Sequence, residues 1–372
     1  MRKMRAGLVL VFCLAAAAPA AAVGSNGPIA YEVHGRTGAE GTCSDIATAP
    51  PGGRRRFVAE TDDCEQGGRF SPSGRRIAWT AYGSGPRAST RLYVAGRRGR
   101  APREVAERVF GWGWSNTGEE LVYVTVPPPP LPAEPDLWVT DAFGNERKRL
   151  TDTPERPESH PSWSPDGSLI AFLANGDLYT MAPDGTDEVR LTEGAEITPI
   201  GWGGGDSYPV WSPDSSKIAV VSTRDDTSSD DGGLAWTAEI YVTSSTGGEM
   251  TNVSNLPETK DVQPQWLDDR RLVWVAGYEE CEGDCDDDIY VARWDGNRRR
   301  ILAGGPHTET APTVSPNEKW IAFNWIERRE RPRGPYNWAV YKIRSDGTRL
   351  TKLVGVRAAS YRVTDWAPKD IR

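Results

Sequence analysis

Short runs of alternating apolar residues, separated by turn-forming residues, recur along the chain. The clearest copy is HPSWSPDGSLIAFLANGDLYTMAPDGTDEVRLT, which spans His160–Thr192. Its apolar runs are rich in β-branched and aromatic residues and stop at Asp-Gly or Asn-Gly, a pattern that predicts four strands joined by tight turns. Repeats of roughly 40–50 residues, each with several short strands, indicate a β-propeller.

The first landmark of the repeat is an aromatic residue followed by a turn resembling Ser-Pro-Asp-Gly. Proline pre-sets the backbone for the first turn position, and Asp or Asn followed by Gly accommodates a left-handed one. An apolar strand follows each of the first six copies. The copies are Phe70–Gly74, Trp114–Gly118, Trp163–Gly167, Trp211–Asp214, Trp266–Asp269, Val314–Asn317 and Trp366–Pro368.

The second landmark is a hairpin, of which the chain has seven copies starting at Asp45, Arg91, Asp136, Asp177, Glu239, Asp288 and Ala339. The strand Pro28–Val33 has no turn landmark before it, and the landmark within Arg362–Pro368 has no strand after it. Joining the two ends completes one blade and removes exposed edges. We therefore predict an all-β propeller of seven four-stranded antiparallel blades, closed by pairing of the N- and C-terminal strands. Six blades is the alternative, if a weak unit is not a blade.

The pattern Trp-Ser-Pro-Asp-Gly, Ile-Ala-Phe, Ile-Tyr-Val, Asp-Gly, Leu-Thr resembles the WD40-like repeat (PD40) of TolB-type propellers. The resemblance implies an exported bacterial protein that binds partners, although the same repeat also forms the non-catalytic propeller of some serine peptidases. TolB carries an additional α/β domain before its propeller, whereas strands are predicted here directly after the leader. A role in the Tol–Pal system is therefore not expected.

The N-terminus reads as a secretory signal peptide over residues 1–22, followed by a single TolB-like propeller domain over 23–372. It has a basic start, an apolar run from Leu8 to Ala18 and small residues at Ala20–Ala22; this run is too short for a typical spanning helix. An uncleaved anchor is the alternative. We expect a monomer without a transmembrane segment after cleavage, in the periplasm, in the cell envelope or secreted.

Charge and cysteines refine this expectation. Loss of Arg2, Lys3 and Arg5 takes the formal net charge from −8 to −11, and an acidic chain argues against a nucleic-acid partner. The four remaining cysteines permit three pairings. Proximity in sequence favours Cys43–Cys64 and Cys281–Cys285.

Connections of unequal length point to one face of the propeller. In a four-stranded antiparallel blade, the connection between the second and third strands lies at the same end as the connection to the next blade. Both kinds are long here, and long loops on one face of a rigid scaffold are the usual place for binding. The long second connections are Val126–Pro135, Arg224–Trp236, Glu279–Asp287 and Glu327–Asn337.

Two sets of residues on that face are candidate sites. Residues that precede the turn landmarks should open the inner strands at the channel mouth: Gln66, Ser159, His160, Ser207, Tyr208, Gln263, Thr310 and Arg362. We expect no cofactor; the alternative is calcium, for which the acidic residues of one loop are the candidate ligands: Asp225, Asp226, Asp230 and Asp231. They do not match an EF-hand loop, so a solvated acidic surface is the simpler interpretation.

Catalytic motifs are sparse. The chain has three histidines, His34, His160 and His307, and neither G-x-S-x-G nor H-E-x-x-H occurs. The sequence therefore favours a non-catalytic scaffold that binds a protein, a peptide or another envelope ligand on the long-loop face and at the channel mouth. The alternative is a secreted lyase or hydrolase that uses His160.

Overall fold

The computed structural model describes residues 26–38, 41–50, 54–59, 61, 63–83, 89–126, 134–197, 209–225, 237–257, 259–277, 287–327, 337–355 and 360–368. Within these ranges the chain forms strands and turns but no helix, and the strands make seven four-stranded antiparallel sheets.

The first four blades follow the chain. Blade 1 contains β1 (Asn26–Gly38), β2 (Gly41–Ala49) and β3 (Arg56–Ala59). Blade 2 contains β4 (Cys64–Phe70), β5 (Arg76–Tyr82), β6 (Thr90–Gly96) and β7 (Arg103–Glu107). Blade 3 contains β8 (Val109–Trp114), β9 (Glu120–Thr125), β10 (Asp136–Asp141) and β11 (Arg147–Arg149). Blade 4 contains β12 (Glu158–Trp163), β13 (Ile170–Ala174), β14 (Asp177–Met181) and β15 (Val189–Arg190).

The remaining strands complete the ring. Blade 5 contains β16 (Val210–Trp211), β17 (Lys217–Ser222), β18 (Glu239–Ser244) and β19 (Thr251–Asn252). Blade 6 contains β20 (Lys260–Asp268), β21 (Arg271–Gly277), β22 (Asp288–Arg293) and β23 (Arg300–Ala303). Blade 7 contains β24 (His307–Val314), β25 (Trp320–Glu327), β26 (Asn337–Arg344) and β27 (Thr351–Gly355). The last strand, β28 (Ser360–Pro368), is the inner strand of blade 1.

Closure of the ring joins the two ends of the chain. β28 pairs antiparallel with β1, so that Trp366 lies opposite Ile29 and Tyr361 opposite Val33. The sheet order β28-β1-β2-β3 is the blade predicted from the two incomplete units. Seven blades and closure by the terminal strands are thereby confirmed, and the alternative of six is excluded.

The hydrophobic core lies between neighbouring blades. One cluster, for example, joins Val221 and Ile240 of blade 5 to Leu272 and Trp274 of blade 6. The recurrent tryptophans reach back to the inner strand of the preceding blade: the indole N–H groups of Trp114, Trp211 and Trp266 donate to the carbonyls of Arg69, Ser162 and Val210 at 3.2, 3.1 and 2.8 Å. Because each indole joins two blades, this repeat position is structural.

The Leu-Thr end of the repeat is structural too. The hydroxyls of Thr151, Thr192 and Ser254 each accept the N–H of an apolar residue on the third strand, at 2.9 Å. In blade 4, Asp177 accepts further hydrogen bonds from Thr192 and Arg190. In blades 3, 4 and 5 these bonds fasten the chain that leaves the outer strand to its own blade.

Candidate functional site: the central channel

Four of the seven inner strands, β4, β12, β20 and β24, share a bulge. The ladder between first and second strands shifts register after Gln66, Ser159, Val262 and Thr310. The residue that follows each of these has a positive φ: Gly67 at 66°, His160 at 52°, Gln263 at 58° and Ala311 at 52°.

Three of these positions are strained, because the residue is not glycine. His160, Gln263 and Ala311 each precede a proline, which normally drives the preceding residue to an extended backbone. Bulges re-aim side chains and are frequent beside functional sites. The bulge recurs at the equivalent position on the inner strands of blades 2, 4, 6 and 7.

Polar side chains from the preceding blade satisfy several inner-strand N–H groups. Gly67 N–H donates to Glu32 Oε1 at 2.8 Å, and Ala311 N–H donates to Gln263 Oε1 at 2.7 Å. Val363 N–H donates to Asn324 Oδ1 at 2.9 Å. These bonds follow the circumference of the ring, so part of the polarity of the channel serves to hold neighbouring blades together.

A cavity of about 360 Å³ occupies the channel, and its wall comes from the inner strands of six blades together with Glu32 of β1. Its charged wall residues are Glu32, Arg69, Arg362 and Asp365. Burial raises the pKa of the Asp365 carboxyl, while the charge of Arg69 opposes that rise. Asp365 Oδ2 also accepts the N–H of Phe70 at 2.7 Å, which links blade 1 to blade 2.

The predicted channel residues divide into three groups. Gln263 and Arg362 line the cavity. Ser207 and Tyr208 lie outside the described residues. Gln66, Ser159, His160 and Thr310 lie on the same inner strands but are not among the lining residues. The bulge alone does not decide this division, because His160 and Gln263 both occupy the bulge position and only Gln263 lines the cavity.

His160 is half-buried, and desolvation lowers the pKa of its imidazole to about 4, with a further contribution from the charge of Arg69. The ring is therefore neutral at pH 7 and is a poor proton donor there.

Three residues of the channel region were not anticipated. Glu32 and Asn324 lie on second strands, where the repeat pattern shows no marker for them. Phe110 stands at the register shift of β8 and is 63% exposed. The same count that selected Arg362, four residues before Trp366, would have selected Phe110 before Trp114.

The other predicted sites are described only in part. Asp225 accepts a hydrogen bond from the Tyr241 hydroxyl and lies 3.9 Å from Arg224 Nε, while Asp226, Asp230 and Asp231 lie outside the described residues. Within the described ranges no group of three or more His, Cys, Asp or Glu residues could hold a metal ion.

Of the cysteines, Cys43 and Cys64 form a disulfide, which is typical of an oxidising compartment. Cys281 and Cys285 lie outside the described residues. The signal peptide predicted at residues 1–22 lies outside them as well. Across the described part of the chain, no helix has the length and apolarity to cross a membrane.

A family model described as the TolB beta propeller domain (PD40) matches residues 104–369. The chain belongs to this family. No curated protein matches the sequence.

Solved structures show the same fold at low identity. The β-propeller domain of the Trilobed protease from Pyrococcus furiosus is 14% identical, with a TM-score of 0.63, over 90% of this chain and 94% of that one; its topology is an open velcro. TolB from Acinetobacter baumannii is 16% identical, with a TM-score of 0.51, over 91% and 83%. Acylaminoacyl peptidase from Pyrococcus horikoshii is 16% identical, with a TM-score of 0.60, over 89% and 51%. At these identities the likeness shows the fold alone.

Proposed function

We propose that this TolB-like propeller is an exported, non-catalytic scaffold whose channel mouth and long-loop face bind a segment of a protein or peptide. The observation that carries the channel part of the proposal is the cavity of about 360 Å³, whose wall holds both charged and apolar residues. The long-loop face is proposed from the lengths of its connections, because the described wall of the cavity reaches Pro165, in a turn at the opposite end of the blades. Binding sites for small ligands or short chain segments commonly have volumes of roughly 300–1,000 Å³.

The composition of the wall suits a peptide backbone and side chains together. Arg69 and Arg362 place guanidinium groups in the wall, and Trp163 contributes an aromatic ring. Glu32 and Asp365 add carboxyl groups whose oxygens also accept backbone N–H groups. Phe110 adds an exposed aromatic side chain to an inner strand. Exposed aromatic and arginine side chains are the residues that most often anchor a partner.

Catalysis at His160 has less support. Burial lowers the pKa of its imidazole to about 4, which makes the ring a weak general base, and the residue does not line the cavity. The binding proposal needs neither His160 nor a metal. Export is supported by the leader-like N-terminus and by the Cys43–Cys64 disulfide.

Obstruction of the cavity tests the proposal. Thr313 lines the cavity on β24, so Thr313→Trp should fill it and lower the affinity for peptides selected from a displayed random library by at least tenfold. Glu146→Trp, at an exposed hairpin position, is the matched control and should leave the affinity unchanged. Equal binding by both variants, with unaltered melting temperatures, would refute a role for the channel.

A further inference from the structure

The outermost strands carry a concentration of positive charge. Three of the segments that form or lead into them are basic triplets, at residues 54–56, 147–149 and 298–300. Together with the neighbouring hairpins, five blades expose fourteen cations on this rim: Arg54, Arg55, Arg56, Arg98, Arg100, Arg103, Arg147, Lys148, Arg149, Arg298, Arg299, Arg300, Arg349 and Lys352.

Few carboxylates accompany them. The exposed acids of the same hairpins and strands are Glu104, Glu107, Glu146 and Asp346. Among the described residues of the three triplets, only Arg149 forms an ion pair, with Asp136 and Asp152. This excess of cations stands in a chain whose formal net charge is −8.

The basic segments are contiguous in space. They belong to blades 6, 7, 1, 2 and 3, which are consecutive because β28 closes the ring between blades 7 and 2. We call them the basic arc. Blades 4 and 5 interrupt it, since their corresponding hairpins and outer strands expose four acids, Asp184, Asp187, Glu188 and Glu249, against one cation, Arg190.

Protection of edge strands does not account for the sign of this charge. An outer strand has one unpaired edge, and charged side chains there discourage edge-to-edge association. Charge of either sign serves that purpose, and blade 4 uses mainly acids. Five consecutive blades with cations therefore form a continuous surface that is predominantly positive.

The shape of the basic arc favours a linear partner over a flat one. The turns between first and second strands lie at the same end of the blades as the basic hairpins, but nearer the channel. There the exposed acids Glu119, Glu120, Asp166, Asp214, Asp269 and Glu318 outnumber the exposed cations Arg75, Arg270 and Lys319. A flat anionic surface laid on this end would meet those acids, whereas a flexible chain can follow the rim and avoid them.

We infer that the basic arc binds a linear anionic polysaccharide, whose sulfate, phosphate or carboxylate groups contact the cations of successive blades. Arginine presents a planar fork of donors that matches such oxyanions, and twelve of the fourteen arc cations are arginine. The arc is separate from the channel, so this binding is independent of the function proposed above.

Heparin, as a linear sulfated probe, tests the inference on the full-length secreted chain. The variant R54Q/R147Q/R298Q removes one cation from each triplet. The control R75Q/R270Q/K319Q removes three exposed cations from the turns nearer the channel. We expect the first variant to lower heparin affinity about tenfold and to flatten its dependence on salt, since fewer counterions are released. The control should change affinity less than twofold.

Further probes identify the type of partner. Long heparin chains should bind more tightly than tetrasaccharides, because only long chains reach several blades. Equal losses in both variants, or equal affinity for tetrasaccharides and long chains, would overturn the inference. It would also be overturned if phosphatidylglycerol vesicles or duplex DNA bound more tightly than heparin and lost that binding in R54Q/R147Q/R298Q.

Discussion

Four inner strands carry an acidic side chain at an equivalent position, two residues before the residue of the bulge that has a positive φ. These acids are Glu65, Glu158, Asp261 and Glu309, and each is 0% exposed. Threonine hydroxyls in the connections between blades donate to three of them, as Thr61 does to Glu65. The acids thus fasten each incoming connection to the inner strand. Burial raises the pKa of Glu65 and of Asp261 to about 7.

The raised pKa of Glu65 predicts a stability effect that depends on pH. Folding favours the protonated form, so its contribution is complete below the ordinary pKa of 4.5 and is lost as the pH rises to about 7. Glu65→Gln retains an acceptor for Thr61 but cannot ionise. Relative to the wild type, we expect this variant to gain up to about 3 kcal/mol between pH 4.5 and pH 8, measured by urea unfolding at both pH values.

The comparison must be between variants, because His160 acts in the opposite direction. Its pKa falls from 6.5 to about 4 on folding, so its contribution to stability grows as the pH rises through that interval. In the wild type the two effects oppose each other. Glu146→Gln, at an exposed site, is the control and should differ from the wild type by the same amount at both pH values. If Glu65→Gln also differed from the wild type by the same amount at both pH values, the raised pKa of Glu65 would be contradicted.

At the scale of the element, the bulge is the feature that shapes the channel. Ala311 has a φ of 52° and is followed by Pro312. Gln263 Oε1 accepts its N–H at 2.7 Å, so the hydrogen bond across blades holds an alanine in a conformation that suits glycine. The strain is local and can be removed without loss of that bond.

Ala311→Gly should therefore stabilise the protein. Relief of a left-handed alanine is worth about 1–2 kcal/mol, and the added freedom of glycine in the unfolded chain costs roughly half of that, so we expect a gain of about 0.5–1 kcal/mol. The control is Ala322→Gly in β25, which is buried and has no positive φ; it should lose about 1 kcal/mol. Equal losses in both variants would show that the bulge carries no strain.

Turns were predictable from the sequence and bulges were not, for a physical reason. Asp166 and Gly167 form a local turn whose conformation depends on nearby residues, and such turns fixed the number of blades. The left-handed conformations of His160 and Gln263 run against the preference of a residue before proline, and tertiary bonds such as Gln263–Ala311 hold them. The repeat therefore predicted which strands line the channel, whereas the left-handed positions on those strands depend on contacts between blades that the repeat does not encode.

At the scale of the whole molecule, blade 1 differs from the other blades because it joins both ends of the chain. Its contacts with blade 2 are correspondingly dense. Thr364 Oγ1 donates to the carbonyl of Gly68 at 2.6 Å, and Ser44 Oγ donates to that of Glu65 at 2.6 Å. The Cys43–Cys64 disulfide joins β2 to β4 across the same boundary. These contacts fasten the closing blade to a blade built from continuous chain.

Removal of the disulfide should weaken the ring at its closure. Its cysteines are 21 residues apart, and in the chain-entropy description a loop of that length contributes about 3 kcal/mol. We expect the variant C43S/C64S to lose about that much in urea unfolding. Because blade 1 is completed by pairing between chain ends, the loss should also appear as faster hydrogen exchange in β1 and β28, while β17 and β18 of blade 5 keep their protection. Uniform acceleration in all seven blades would instead mean that the ring opens as one unit and that the disulfide stabilises it globally.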